Sequence, residues 1–118
     1  MTEKKTAMEI NNHKVNDVMI ISVIGSIDAI TADEVTESIN LQIANNEVKL
    51  VMDFSRVNYT SSAGLRVLLG AIKETRARNG DIRLASLQPD VSKVLTLSGF
   101  TNIMNIYPNL DTAVKSYT

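Results

Sequence analysis

Apolar positions recur along this chain with two different periods. From Val18 to Ile24 the run Val-Met-Ile-Ile-Ser-Val-Ile is apolar and β-branched, which predicts a buried strand. Ahead of it, Met8, Ile10 and Val15 are the apolar points of a partly alternating segment that ends at Asn16-Asp17, a turn signal, so the two segments are expected to pair as a hairpin. Thr31-Ala-Asp-Glu34 has capping-box spacing, with Thr31 as N-cap and Glu34 reaching back. Ala32, Val35, Ile39 and Ile43 then recur at helical intervals as far as Asn45-Asn46. Residues 48–54 form a short continuous apolar run, as an interior strand does. A long helix is expected from about Ser62 to Arg78, stopped by Asn79-Gly80. Ile82, Leu84 and Leu87 mark another strand. Pro89 opens a helix through Val91, Val94 and Leu95 that stops at Gly99. Residues 103–107 read as a short strand, and Asn109 as the cap of a last helix with Ala113, Val114 and Tyr117.

The order β-β-α-β-α-β-α-β-α contains a strand-helix-strand crossover between residues 48 and 87, which implies parallel pairing with a right-handed connection. The fold class is therefore α/β: one mixed sheet of about four to five strands covered by about four helices. Residues 8–118 suit a single domain, after a flexible N-terminal tail of residues 1–7.

Composition narrows the chemistry. With 118 residues and 44% apolar content the chain can bury a real core. A formal net charge of −1 recommends neither nucleic acid nor an anionic membrane as partner. There is no cysteine, and His13 is the single histidine, so a zinc site built from imidazole and thiolate is excluded. His13 is expected to be a solvated surface residue. No run approaches about 18 apolar residues, and the polar start lacks an apolar signal core, so a cytoplasmic protein is expected. Neither a Gly-x-Ser-x-Gly elbow, a P-loop nor a dinucleotide fingerprint occurs, so no enzyme and no cofactor are expected. Met8, Met19, Met52 and Met104 are expected to fill core gaps, and Lys73, Arg76, Arg78 and Arg83 to form a solvated cluster. Nothing demands more than a monomer.

One segment remains: Tyr59-Thr-Ser-Ser-Ala-Gly-Leu-Arg-Val-Leu-Leu69, where a loop enters the long helix. A helix start carries unpaired N–H groups and partial positive charge. On spacing alone Ser61 or Ser62 there reads first as an N-cap, since serine is common at that position, and second as a hydroxyl able to accept a phosphate without melting the helix. Further along, Leu65, Leu68, Leu69 and Ile72 are expected on the core side. Ala63, Val67, Gly70 and Ala71 are expected on the opposite side, with Arg66 and Glu74 at its margins, as a small apolar strip suited to docking. Asp28 and Asp53 read as turn or capping residues.

Ser61-Ser62-Ala63-Gly64-Leu65, after Val51-Met-Asp-Phe-Ser55 and before Val67-Leu-Leu69, resembles the signature of STAS domains, and among them the bacterial anti-anti-sigma factors. Gly25-Ser-Ile-Asp-Ala29, Gly80-Asp-Ile-Arg-Leu84 and Leu97-Ser-Gly-Phe100 resemble flanking pieces of the same family, so the likeness covers roughly residues 8 to 116. The resemblance implies an anti-sigma factor antagonist. Its unphosphorylated form would bind an anti-sigma factor that is also a serine kinase of the histidine-kinase-like ATPase class. Phosphorylation would release it, and a PP2C-type phosphatase would reset it. It also implies that the acceptor stands two positions before the motif glycine, which is Ser62, with Ser61 left to cap and Thr60 as a further candidate. Many members carry Asp where this chain has Ser61. The partner surface would comprise Asp28, Ser61, Ser62, Ala63, Gly64, Arg66, Val67 and Gly70. Related modules serve switches with no sigma factor, or sit beside transporters as accessory subunits.

Overall fold

The computed structural model describes residues 8–118; the tail expected over residues 1–7 lies outside the described residues. β1 (Glu9–Val15) and β2 (Val18–Ile27) form the expected antiparallel hairpin, with Val15 opposite Val18. Asn16 takes a left-handed φ of 56° in the turn, which asparagine tolerates better than other side-chain-bearing residues. α1 (Ala32–Ala44) then leads to β3 (Lys49–Thr60), α2 (Ser62–Ala77) to β4 (Asp81–Ala85), and α3 (Pro89–Leu97) with a 3₁₀ turn (Phe100–Asn102) to β5 (Ile106–Tyr107). β2 to β5 pair in parallel in one sheet of order β1-β2-β3-β4-β5, and α4 (Leu110–Lys115) follows.

The helices divide unequally between the faces of the sheet. Val35 and Ile39 of α1, Leu68 and Ile72 of α2, and Val91 and Leu95 of α3 share one core with Ile21, Leu50, Met52 and Phe54. Ala113 and Val114 of α4 meet Val18, Ile20, Val51 and Ala85 on the other face. Leu50 and Met52 thus point to one layer and Val51 to the other. A strand covered on both sides reads as a continuous apolar run.

Three expectations are corrected. β3 runs on to Thr60 instead of ending at Phe54. Its register against β2 slips twice, so that Ser22 and Ile24 face Asp53 and Arg56, and Gly25 and Ser26 face Val57 and Tyr59. Each slip inserts one residue into β3 and breaks the alternation that would have marked it as strand. Asp53 Oδ1 accepts the Ser55 N–H (3.0 Å) at the first slip, and Ser26 Oγ donates to Asn58 Oδ1 (2.9 Å) at the second. In α2 the buried positions are Gly64, Leu68, Ala71, Ile72 and Thr75. Ala71 belongs to the core, Val67 packs half-buried against it, and Leu69 is 37% exposed. Ala71 stands beside Thr36 and Ile39 of α1, so the buried face of α2 is shared between the sheet and α1. Finally, Thr31 precedes α1 without a side-chain cap bond, because its Oγ1 accepts the Asp28 N–H (3.0 Å) while its hydroxyl donates to Ser26 O (2.8 Å).

Candidate functional site

The end of β3, the start of α2 and the β2–α1 loop meet at one end of the sheet. Ser61 is extended, and its N–H donates to Ile27 O (2.9 Å), fastening the entry of α2 to the end of β2. Its Oγ accepts the Ala63 N–H (3.2 Å), which makes it the N-cap. Ser62 is the first residue of α2 and is exposed, and its hydroxyl is engaged by no hydrogen bond from the described residues. The first turn of α2 carries no acidic side chain, so the partial positive charge of the helix start is uncompensated.

Gly64 is buried, and a Cβ there would overlap Thr60 Oγ1 and come within 3.0 Å of Ile27 Cγ2. It therefore seats α2 on the strand ends and does not reach the surface where a partner would touch it. Thr60 is 3% exposed and lies beneath that contact.

Asp28 holds the β2–α1 loop. Its Oδ1 accepts the N–H groups of Ile30 (2.9 Å) and Thr31 (3.0 Å), and its own N–H donates to Thr31 Oγ1 (3.0 Å). The Thr31 and Ile30 N–H groups, in that order, hold its carboxyl below the usual carboxylate range. Asp28 is thus the turn aspartate, and it supplies the ordering expected of the Thr31–Glu34 box.

Beside Ser62, α1 and α2 leave a surface trough in two joined parts. The part of about 350 Å³ is lined by Ala29, Asp33 and Thr36 on one side and by Ala63, Arg66 and Val67 on the other. The part of about 230 Å³ continues past Asn40 to Gly70 and Glu74. Ala63, Arg66, Val67 and Gly70 of the expected docking strip therefore line one trough; Ala71 is buried beneath it. The α1 contribution was not anticipated, since its signal is only a small or polar residue every third or fourth position.

The far end of α2 is tied by a network that sequence reasoning missed. Asp81, 8% exposed, accepts from Arg76 Nε and Arg83 Nε, both at 3.0 Å. Arg83 lies 3.9 Å over the Tyr117 ring and donates to Ser116 O (2.8 Å), while Tyr117 Oη donates toward Leu50 O and Asp81 O, each at 2.8 Å. Arg83 is therefore not part of a solvated cluster. Burial opposes ionisation of Asp81, but hydrogen bonds from Arg83 and Arg76 outweigh it and lower its pKa. Burial pushes the Tyr117 hydroxyl upward. The paired Asp81 and Arg83, two apart on a strand, were the available signal. Among the described residues no cluster of His, Asp or Glu could hold a metal ion, and no helix is long and apolar enough to cross a membrane.

Comparison with known proteins agrees with the fold. The STAS domain family model matches residues 9–113. The anti-sigma-B factor antagonist of Listeria monocytogenes is 32% identical over 90 residues, covering 76% of this chain and 79% of its own. The crystal structure of an anti-sigma factor antagonist from Mycobacterium paratuberculosis superposes with a TM-score of 0.82 at 26% identity, over 92% of each chain. The Bacillus cell fate determinant SpoIIAA in its phosphorylated form has the same fold, with a TM-score of 0.72 at 20% identity over 93% of this chain and all of that one. The chain belongs to the STAS domain family, and its relatives are anti-sigma factor antagonists.

Proposed function

We propose that this protein is a partner switch controlled by phosphorylation of Ser62. One observation carries the reading: Ser61 takes the capping role, which leaves the adjacent Ser62 hydroxyl exposed and unengaged by the described residues, next in the chain to Ala63 of the α1–α2 trough. In the unphosphorylated state the trough and its rim dock an anti-sigma factor that is also a serine kinase of the histidine-kinase-like ATPase class. Asp28 Oδ2, which takes none of the bonds that hold the loop, is placed to meet a cation of that partner. The kinase transfers the γ-phosphoryl group of ATP to Ser62 Oγ, releasing ADP and the hydroxyl proton. A group of about −1.5 to −2 charge now stands where the partner surface must pack dry. A loss of even ~3 kcal/mol weakens binding more than a hundredfold. A PP2C-type phosphatase removes the group and restores binding. The antagonist names of the relatives support the partner class, and the phosphorylated SpoIIAA structure supports a fold that tolerates phosphate. The capped oxygen of Ser61 and the burial of Thr60 argue against both as acceptors.

The test uses Ser62→Ala as bait in a pull-down from the native host. A retained ATPase that phosphorylates the parent chain on Ser62, and leaves Ser62→Ala unmodified, is the expected result. Undiminished phosphorylation of Ser62→Ala would refute the assignment.

A further inference from the structure

We propose that Arg66 receives the phosphate of phosphorylated Ser62 within the same molecule, and that this withdraws its guanidinium from the α1–α2 trough. The inference rests on the reading of Ser62 given above.

Ser62 and Arg66 are positions i and i+4 of a 16-residue helix. Side chains so spaced stand one above the other, with Cβ atoms about 5–6 Å apart. Helical Cα–Cβ bonds tilt toward the N-terminus, so the long Arg66 side chain leans back over the turn that Ser62 begins.

The charge of Arg66 is also uncommitted. Arg66 shares one part of the trough with Asp33 and the other with Glu74, yet among the described residues it forms an ion pair with neither. Arg76, Arg78 and Arg83 each hold a carboxylate. A cation kept unpaired beside two carboxylates, one turn from the modified hydroxyl, is free to turn to a stronger anion. A phosphate monoester offers more charge than Asp33 and three acceptor oxygens, and the planar guanidinium fork fits two of them at once.

The switch would then have two parts. Before modification the rim of the trough presents a donor cation. Afterwards that cation is folded onto the phosphate, so an incoming partner loses a hydrogen-bond donor as well as meeting the new charge. The patch gains about −1.5 to −2 charges and loses its free cation together.

The test needs no kinase. Phosphoserine is incorporated at position 62 of the full chain by codon reassignment, and the second ionisation of the phosphate is followed by phosphorus NMR. Arg66 stabilises the dianion, so the group should titrate below the ordinary value of about 6. Arg66→Gln should raise that midpoint by about half a unit, Arg66→Lys should restore part of the shift, and Lys73→Gln should leave it unmoved. Thermal melting of unphosphorylated Arg66→Gln checks that the variant folds. A midpoint equal in Arg66→Gln and the parent, or equally displaced in Lys73→Gln, overturns the clamp. Phosphate occupancy of Ser62 in cells is measured separately by peptide mapping. Occupancy that cycles with an unshifted midpoint leaves the switch standing and removes Arg66 from it. A shifted midpoint with no cellular phosphate does the reverse.

Discussion

Gly70 lies in the middle of α2, on the exposed side, and a Cβ built there meets nothing within 4 Å. Glycine inside a helix costs about 0.8–1 kcal/mol relative to alanine, through backbone freedom that the unfolded chain keeps. Nothing in the fold requires that cost. Gly70 lines the trough, so on the reading proposed above the open space over it serves the close approach of a partner. Gly70→Ala should therefore stabilise the isolated protein by about 1 kcal/mol, which is about 4 °C in melting temperature for a chain of this length. Gly70→Leu should fold equally well, with its side chain filling the trough. Against the anti-sigma factor recovered with Ser62→Ala, Gly70→Ala should weaken binding measurably. Gly70→Leu should weaken it by about 5- to 150-fold, since an overpacked contact costs about 1–3 kcal/mol. Differential scanning calorimetry and isothermal titration calorimetry read the two effects. A lower melting temperature for Gly70→Ala would refute the packing argument. Unchanged affinity of Gly70→Leu, in a folded and stabilised variant, would refute the docking argument. Position 67 serves less well, because Val67 is half-buried against the core and a charge there would disturb folding and binding together.

Leu68 is 2% exposed at the centre of the α2–sheet contact, so Leu68→Ala should cost about 2–5 kcal/mol in urea unfolding. Asp81 has a depressed pKa in the folded state, so its contribution is complete above the unfolded value of about 3.9 and is lost as pH falls through the lower folded value. Below about pH 4 the melting temperature should fall more steeply with falling pH in the parent than in Asp81→Asn. Tyr117→Phe removes the hydroxyl shared between Leu50 O and Asp81 O and should destabilise by about 1–3 kcal/mol, with hydrogen exchange of α4 rising first.

How much was legible depended on the range of the determining contacts. α1, α2, α3 and the interior halves of β2 and β3 follow from periodicity, because each buries a face that its own spacing declares. The cap by Ser61 and the stop at Asn79, which takes a left-handed φ of 64°, are equally local. The outer half of β3 was illegible because two inserted residues break its alternation, and their partners sit on β2 some thirty residues away. The phase of α2 departs from expectation because Leu69 is more apolar than Ala71, whereas Ala71 is the residue that lies against α1, beside Thr36 and Ile39. Thr31 and Glu34 have the letters of a capping box, but Ser26 O, five residues upstream, claims the threonine hydroxyl. At the candidate site, Ser62, Arg66 and Gly70 could be named from one helix; the α1 wall of the trough required the tertiary fold.

The division of helices between the faces of the sheet bears on how this protein is best handled. Among the described residues α4 alone covers one face, while Ser62 and the trough belong to the three-helix side. A fluorophore, biotin or surface linkage placed after Thr118 leaves from the α4 side and keeps the candidate docking surface open to solution. The same linkage on the α1–α2 side, for example at Asn40, would stand inside the trough and mimic an inhibitor.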